Sequence, residues 1–244
     1  MAGNTGENII KTHAENKMGT APIRKLLASM AWPAVLSMTI VALYNIVDSI
    51  FVAMISQKAL TAVSLILPIQ ILMISVAVGS AVGVNSLIAR RLGARRFDEA
   101  NKAASTSIRI GIFNFAIFAL MGLFFAKPFL TLYTSDPVIF SYGSSYLRIV
   151  TIFCIFIMVE IQMEKVLQAT GNMVAPMIIS MSGAVTNIIL DPILIFGMFG
   201  FPRMEVQGAA IATVTGQFVS LIVAAYIVST GEKAVDIQLK GFKL

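Results

Sequence analysis

Two carboxylates, Asp48 in NIVDSIFVA (residues 45–53) and Asp191 in NIILDPILIFG (residues 187–197), lie inside segments hydrophobic enough to cross a membrane. An ionised side chain at the centre of a bilayer costs roughly 2.5–3.5 kcal/mol on insertion scales. Such residues therefore usually face a protein interior or a watery pathway, where they carry protons, ions or substrate. The two acids favour transport over the alternative that they are structural groups hydrogen-bonded to neighbouring helices.

Polar side chains at a similar depth accompany the two acids. With a rise of about 1.5 Å per helical residue, Asp48, Asp191 and Thr213 are each expected roughly 10 Å inside the same membrane surface. Residues at i, i+3 and i, i+4 share a helix face, which adds amide and hydroxyl groups to the set. The predicted site comprises Asp48, Asp191, Asn187 and Thr213, with Tyr44 and Asn45 as accessory residues.

The chemistry of this set suits two kinds of ligand. Hard cations such as Na⁺ prefer oxygen ligands. Two carboxylates close together in a low dielectric also favour uptake of a proton by one of them. These residue types do not distinguish Na⁺ from H⁺ as the coupling ion. No catalytic residue, resident metal or cofactor is predicted.

The elements that must position these residues are transmembrane helices. The chain of 244 residues is 57% hydrophobic and only 12% charged, about half the charged fraction of a typical soluble domain. Six apolar stretches lie near residues 28–55, 60–89, 109–126, 139–163, 173–198 and 207–229. They lack the alternation of barrel strands, so an all-α polytopic membrane protein is predicted. Residues 26–230 would form the six-helix lobe, preceded by a polar cytoplasmic segment (1–25).

The basic residues predict the orientation of the lobe. Of 18 Lys and Arg residues, 14 fall on the side of the N-terminus, three on the other side, and Arg148 lies within the fourth stretch. The positive-inside rule then places the N-terminus in the cytoplasm. The net charge of +6 is explained by anionic lipid headgroups, without a nucleic-acid partner. The lone His13 and lone Cys154 exclude a histidine-dependent hydrolase and an internal disulfide.

Three local expectations concern the connections and the helix interiors. Residues 86–104 are expected to form a turn followed by a short amphipathic helix on the membrane surface. Glu160 and Glu164, one turn apart, are expected at the membrane interface. Pro192, directly after Asp191, is expected to kink its helix, because proline lacks the backbone N–H.

Six stretches, taken in order, resemble the amino-terminal lobe of multidrug and toxic compound extrusion (MATE) transporters. They are NIVDSIFVA, ARRLGARRFDEAN, YLRI, LQATGN, NIILDPILIFG and GAAIATVTGQ. The resemblance implies a cation-coupled antiporter of twelve helices in two lobes, which exports amphipathic, often cationic compounds from a cytoplasmic membrane. It also implies that Asp48, Asn187, Asp191 and Thr213 form the coupling-ion site of the first lobe.

The chain departs from the MATE pattern in length. It stops after six stretches, and residues 231–244 resemble the start of a cytoplasmic linker to a second lobe, so a truncated transporter is expected. Two alternatives remain. One is a relative that flips lipid-linked sugars. The other is an intramembrane aspartyl protease with Asp48 and Asp191 as its pair, which the sequence contexts VD and LDP disfavour.

Overall fold

The computed structural model describes residues 22–230, and these residues form seven α-helices. The polar segment up to residue 21, His13 and the linker at residues 231–244 lie outside the described residues. The helices are α1 (Ile23–Ile55), α2 (Gln57–Gly93), α3 (Phe97–Tyr133), α4 (Pro137–Ile152), α5 (Ile155–Ala169), α6 (Val174–Phe196) and α7 (Glu205–Thr230).

Six membrane spans follow from these helices. Within residues 22–230, five helices are long and apolar enough to cross a membrane, and α4 with α5 forms a sixth span bent by 48°. The prediction of an all-α membrane protein with six spans is confirmed. α6 continues through Pro192 to Phe196.

The bend between α4 and α5 carries no proline or glycine signal. It lies at Phe153 and Cys154, and Cys154 is fully buried. The hydroxyl of buried Thr151 donates to the carbonyl of Leu147 at 2.7 Å. The same kind of bond joins Thr215 to the carbonyl of Ile211 at 2.7 Å within the continuous α7, so it does not by itself account for the bend.

The prediction of a separate surface helix within residues 86–104 is wrong. α3 begins at Phe97 and continues without a break into the membrane span. Its first turns are held because Ala100, Ala103 and Ala104 pack against Ile88 of α2 in one buried cluster. The amphipathic stretch is therefore the packed end of a long helix.

Successive spans run in opposite directions. At one end of the bundle, called the Lys58 end, the start of α2 contacts the start of α4. Lys58 Nζ lies 2.7 Å from Asp136 Oδ2 there. At the same end, Phe51 of α1 meets Phe196 of α6 edge to face. At the opposite, Arg90 end, Asn85 donates to the carbonyl of Lys165 at 2.6 Å. The acids of α1 and α6 can therefore lie at one level.

A buried polar network fastens α2, α3 and α5 together. Ser107 donates to Gln162 Oε1 at 2.6 Å. The amide of Gln162 and that of Asn114 each donate to the hydroxyl of Ser80, both at 3.0 Å. Buried polar groups are costly unless paired, so this network fixes the register of three helices beside the site.

α6 and α7 approach each other through glycines. A Cβ added to Gly216 would lie 2.8 Å from the carbonyl oxygen of Gly183, and one added to Gly208 would lie 2.6 Å from the carbonyl of Leu194. Small residues allow helix backbones to pack closely within a membrane. This contact carries Thr213, on the same helix as Gly216, toward the acid on α6.

Candidate cation site

The carboxyl groups of Asp48 and Asp191 lie within side-chain hydrogen-bonding contact of each other. Asp48 comes from α1 and Asp191 from α6, and these two helices pack together along their length. Asp191 is fully buried. A hydrogen bond between two carboxyl groups needs a proton on one of them, so the pair can hold a proton or, without it, a cation.

Asn187 braces this pair from one turn earlier on α6. We assign its amide with the nitrogen 3.1 Å from Asp191 Oδ2 and the oxygen 3.2 Å from the backbone nitrogen of Thr213, because both ends are then paired. The opposite orientation gives longer contacts of 3.4 Å to Asp191 and 3.5 Å to the Thr213 hydroxyl. Asn187 is 3% exposed, so its orientation is set by these partners.

Two further residues join the cluster that were not predicted as site residues, although Tyr146 opens the YLRI stretch. Tyr146 of α4 is 2% exposed, and its hydroxyl lies within hydrogen-bonding contact of Thr213 of α7. Gln70 of α2 donates to the same hydroxyl at 3.4 Å. The site therefore draws groups from α1, α2, α4, α6 and α7, which only the tertiary packing brings together.

The two accessory residues have different surroundings. Tyr44 lies within electrostatic range of Asp48 and Asp191, in the interior of the bundle. Asn45 is on an exposed part of α1, where its backbone carbonyl accepts from Ser49 at 2.8 Å. The structure brings Tyr44 to the acids and leaves the Asn45 side chain apart from them.

One oxygen of the site lacks a donor. Asp48 Oδ1 is buried and has no hydrogen-bond partner among the described residues. An unpaired buried acceptor is costly, and a bound cation or proton would remove that cost. Within residues 22–230 no three His, Cys, Asp or Glu side chains come together as metal ligands. An ion here would be held by two carboxylates and neutral oxygens.

Glu160 is buried between helices. It is 8% exposed and lies on α5 against Ser220 of α7. Glu164, one turn later, is partly exposed and accepts from Ser180 at 2.7 Å. The expected position of both residues at the membrane interface stays a prediction, whereas the packing of α7 across α5 could not be derived from the local sequence.

The MatE family model matches residues 33–193, a range that includes Asp48, Asn187 and Asp191. The chain belongs to the MatE family. This confirms the resemblance drawn from the six stretches. A MatE chain is a multi-pass membrane protein of a transporter family, in agreement with the six spans.

Individual MatE relatives support the same assignment. The FAD transporter of Shewanella oneidensis is 30% identical over 212 residues, covering 85% of this chain and 46% of that protein. The probable multidrug resistance protein NorM of Thermotoga maritima is 28% identical over 213 residues, covering 86% and 46%. The structure of a MOP superfamily transporter from Pyrococcus furiosus superposes with a TM-score of 0.83 at 25% identity, covering 99% of this chain and 51% of that one. This chain spans about half the length of these relatives.

Proposed function

We propose that this lobe belongs to a cation-coupled multidrug antiporter and that the Asp48–Asp191 pair exchanges the coupling ion, Na⁺ or H⁺. The observation that carries the proposal is the contact between the two carboxyl groups, one of which leaves a buried oxygen without a partner. Taking a cation from this pair leaves two negative charges in a low dielectric, which repel strongly. Occupancy of the pair therefore changes the energy of bringing α1 against α6.

α1 is the helix best placed to respond to that change. Among its residues only Pro33 and Val52 are buried, so few side chains fix α1 apart from its contact with α6. A ligand shifts a conformational equilibrium only by its differential affinity for the two states. We infer that a bound cation favours the state with α1 against α6 and that its loss favours the other.

The cargo is proposed to be an amphipathic compound with an aromatic ring system. An open groove of about 430 Å³ lies beside the α4–α5 bend and is lined largely by apolar side chains, including Phe153, Phe156 and Phe218. Its aromatic faces suit stacking with planar molecules. Relatives named for multidrug export and for FAD transport fit such a cargo, as drugs or as a flavin nucleotide. They favour this cargo over a lipid-linked sugar, and a transporter over an aspartyl protease.

The proposed setting is the cytoplasmic membrane, with the N-terminus inside and anionic lipids beside the basic Arg90 end. The partner of this lobe is a second six-helix lobe, since the relatives are about twice as long. In the two-lobe protein, the exposed side of α1 would face the cleft through which cargo passes.

Transport into membrane vesicles carrying both lobes tests the proposal. Asp191→Asn keeps the shape of the side chain and deletes the charge that a proton or Na⁺ neutralises, so export driven by an imposed cation gradient should collapse. Asp98→Asn, on the exposed first turn of α3, is the matched control and should transport normally. Undiminished gradient-driven export by Asp191→Asn would leave Asp191 as a structural residue.

A further inference from the structure

Glu160 is a buried acid that is not part of the proposed Asp48–Asp191 site. It is 8% exposed and lies in α5, the second half of the bent membrane span. Ser220 is the one hydrogen-bond donor that the described residues bring to its carboxyl. The hydroxyl of Ser220, however, donates to the carbonyl of Ile179 at 3.0 Å. A hydroxyl has a single hydrogen, so Ser220 cannot donate to Glu160 while it donates to Ile179.

The charges around Glu160 do not neutralise it. The groups that act on it within residues 22–230 are Glu164 on its own helix and Tyr44 of α1. Lys165 is the adjacent cation, but its Nζ donates to Gln168 Oε1 at 2.9 Å. Glu160 makes no ion pair within residues 22–230, and a buried carboxylate beside a second carboxylate is strongly disfavoured in a membrane when no counter-charge pairs with it. Glu160 therefore requires a cation of its own.

A series of polar side chains, here called the polar tract, connects Glu160 with the Asp48–Asp191 pair. Tyr44 lies within electrostatic range of Asp48, Asp191 and Glu160. On α7, Gln217 stands one turn from Thr213 and three residues before Ser220, so these side chains share a face. Gln217 Oε1 is buried without a partner, as is Asp48 Oδ1. Each of these two oxygen atoms lacks a donor among the described residues. A cation moving along the tract, or its water, would pair with them.

We propose that Glu160 is a second cation station, which takes up one proton or one Na⁺ and shares it with the Asp48–Asp191 pair along the tract of Tyr44 and Gln217. This inference rests on the proposed coupling function of that pair. It adds an inner step, toward the Arg90 end, at which the coupling ion is held after it leaves the two aspartates. Glu164, with its own donor in Ser180, is the residue through which the tract reaches the partly exposed surface.

Infrared difference spectroscopy on the purified 244-residue chain in lipid nanodiscs tests the proposal. The stretching band of a protonated carboxyl group is recorded as the pH is raised without Na⁺, and as Na⁺ is added at fixed pH. Wild type and the control Glu99→Gln, an exposed residue paired with Arg91, should both show the Glu160 band. Glu160→Gln should lose it. A response to pH alone identifies a proton, and a loss of the band on adding Na⁺ identifies a sodium ion.

The Asp48→Asn/Asp191→Asn double variant separates this proposal from the coupling function. It should keep the Glu160 band and lose those of the pair. If the double variant changes no band while Glu160→Gln removes one, the Asp48–Asp191 site is refuted and the Glu160 site is supported. If Glu160→Gln retains every wild-type band in both arms, the station is refuted. Should Glu160→Gln not fold, Glu160→Asp, which keeps the acid on a shorter side chain, must shift the same band, and an unshifted band would overturn the proposal.

Discussion

Asn187 and Asp191 stand one turn apart on α6, with the amide nitrogen of the first 3.1 Å from Oδ2 of the second. The amide oxygen reaches the backbone nitrogen of Thr213 on α7 at 3.2 Å. A single side chain thereby orients the buried carboxyl group and ties it to the neighbouring helix. The proposed cation site consequently depends on the α6–α7 contact as well as on its two acids.

Replacing Asn187 with alanine should weaken cation binding without abolishing it. The amide orients the Asp191 carboxyl group as an ion ligand. Loss of this orientation should make Na⁺ binding about tenfold weaker, the equivalent of about 1.4 kcal/mol, in a Na⁺ titration of the purified chain. Asn45→Ala, on the exposed part of α1, is the matched control. Equal affinities for the two variants would contradict the bracing role.

Adding a methyl group at Gly216 should destabilise the lobe. Its Cβ would lie 2.8 Å from the carbonyl oxygen of Gly183, which forces the helices apart at a cost of about 1–3 kcal/mol. Gly83→Ala is the control, since nothing lies within 4 Å of the added atom, and alanine favours a helix by roughly 0.5–1 kcal/mol. Thermal unfolding in detergent should show Gly216→Ala below wild type and Gly83→Ala at or above it. The reverse order would refute the close contact.

The sequence predicted what depends on local periodicity. Six spans follow from hydrophobic length, and Asn187 with Asp191 follows from helical spacing. The role of these residues as a cation site stays a prediction. Tyr146 and Gln70 could not be predicted, because they reach the site only when α2 and α4 pack on α7. The bend at Phe153 could not be predicted, because no proline or glycine marks it in the apolar run.

Asp136 should stabilise the lobe at neutral pH and lose that effect in acid. A hydrogen bond from Lys58, and then one from the backbone N–H of Val138, holds the pKa of this exposed carboxyl below its usual range. A carboxyl with a lowered pKa contributes stability above its unfolded pKa, and the contribution is lost as the pH falls through the folded value. Asp136→Ala should therefore unfold more readily than wild type at neutral pH and match it in strong acid.

Lys58→Ala is the comparison for that variant. It removes the ion pair but leaves Asp136 as the N-cap of α4, where Oδ1 accepts from the backbone of Val138 at 2.8 Å. It should therefore cost less stability than Asp136→Ala. A pH-independent difference between Asp136→Ala and wild type would contradict the assignment.

Cysteine labelling in intact cells should establish the orientation. Single cysteines at Gln57, Ser135 and Arg203, all at the Lys58 end, are expected to react with an impermeant reagent from outside. Those at Arg95 and Gly171, at the Arg90 end, should react only after the membrane is opened. The native Cys154 is fully buried and should stay silent. Labelling of Arg95→Cys from outside would reverse the topology.

Cation binding to the purified chain tests the central claim most directly, namely that Asp48 and Asp191 form one cation site. Radioactive Na⁺ binding is measured together with proton release for Asp48→Asn, Asp191→Asn, the double variant and the control Asp98→Asn. The account predicts that either single variant loses the exchange at the Asp48–Asp191 pair, leaving only that at Glu160, and that the double variant is little worse, because residues in contact are not additive. Asp98→Asn should exchange as wild type does. Exchange at the wild-type level in Asp48→Asn or Asp191→Asn would contradict the account.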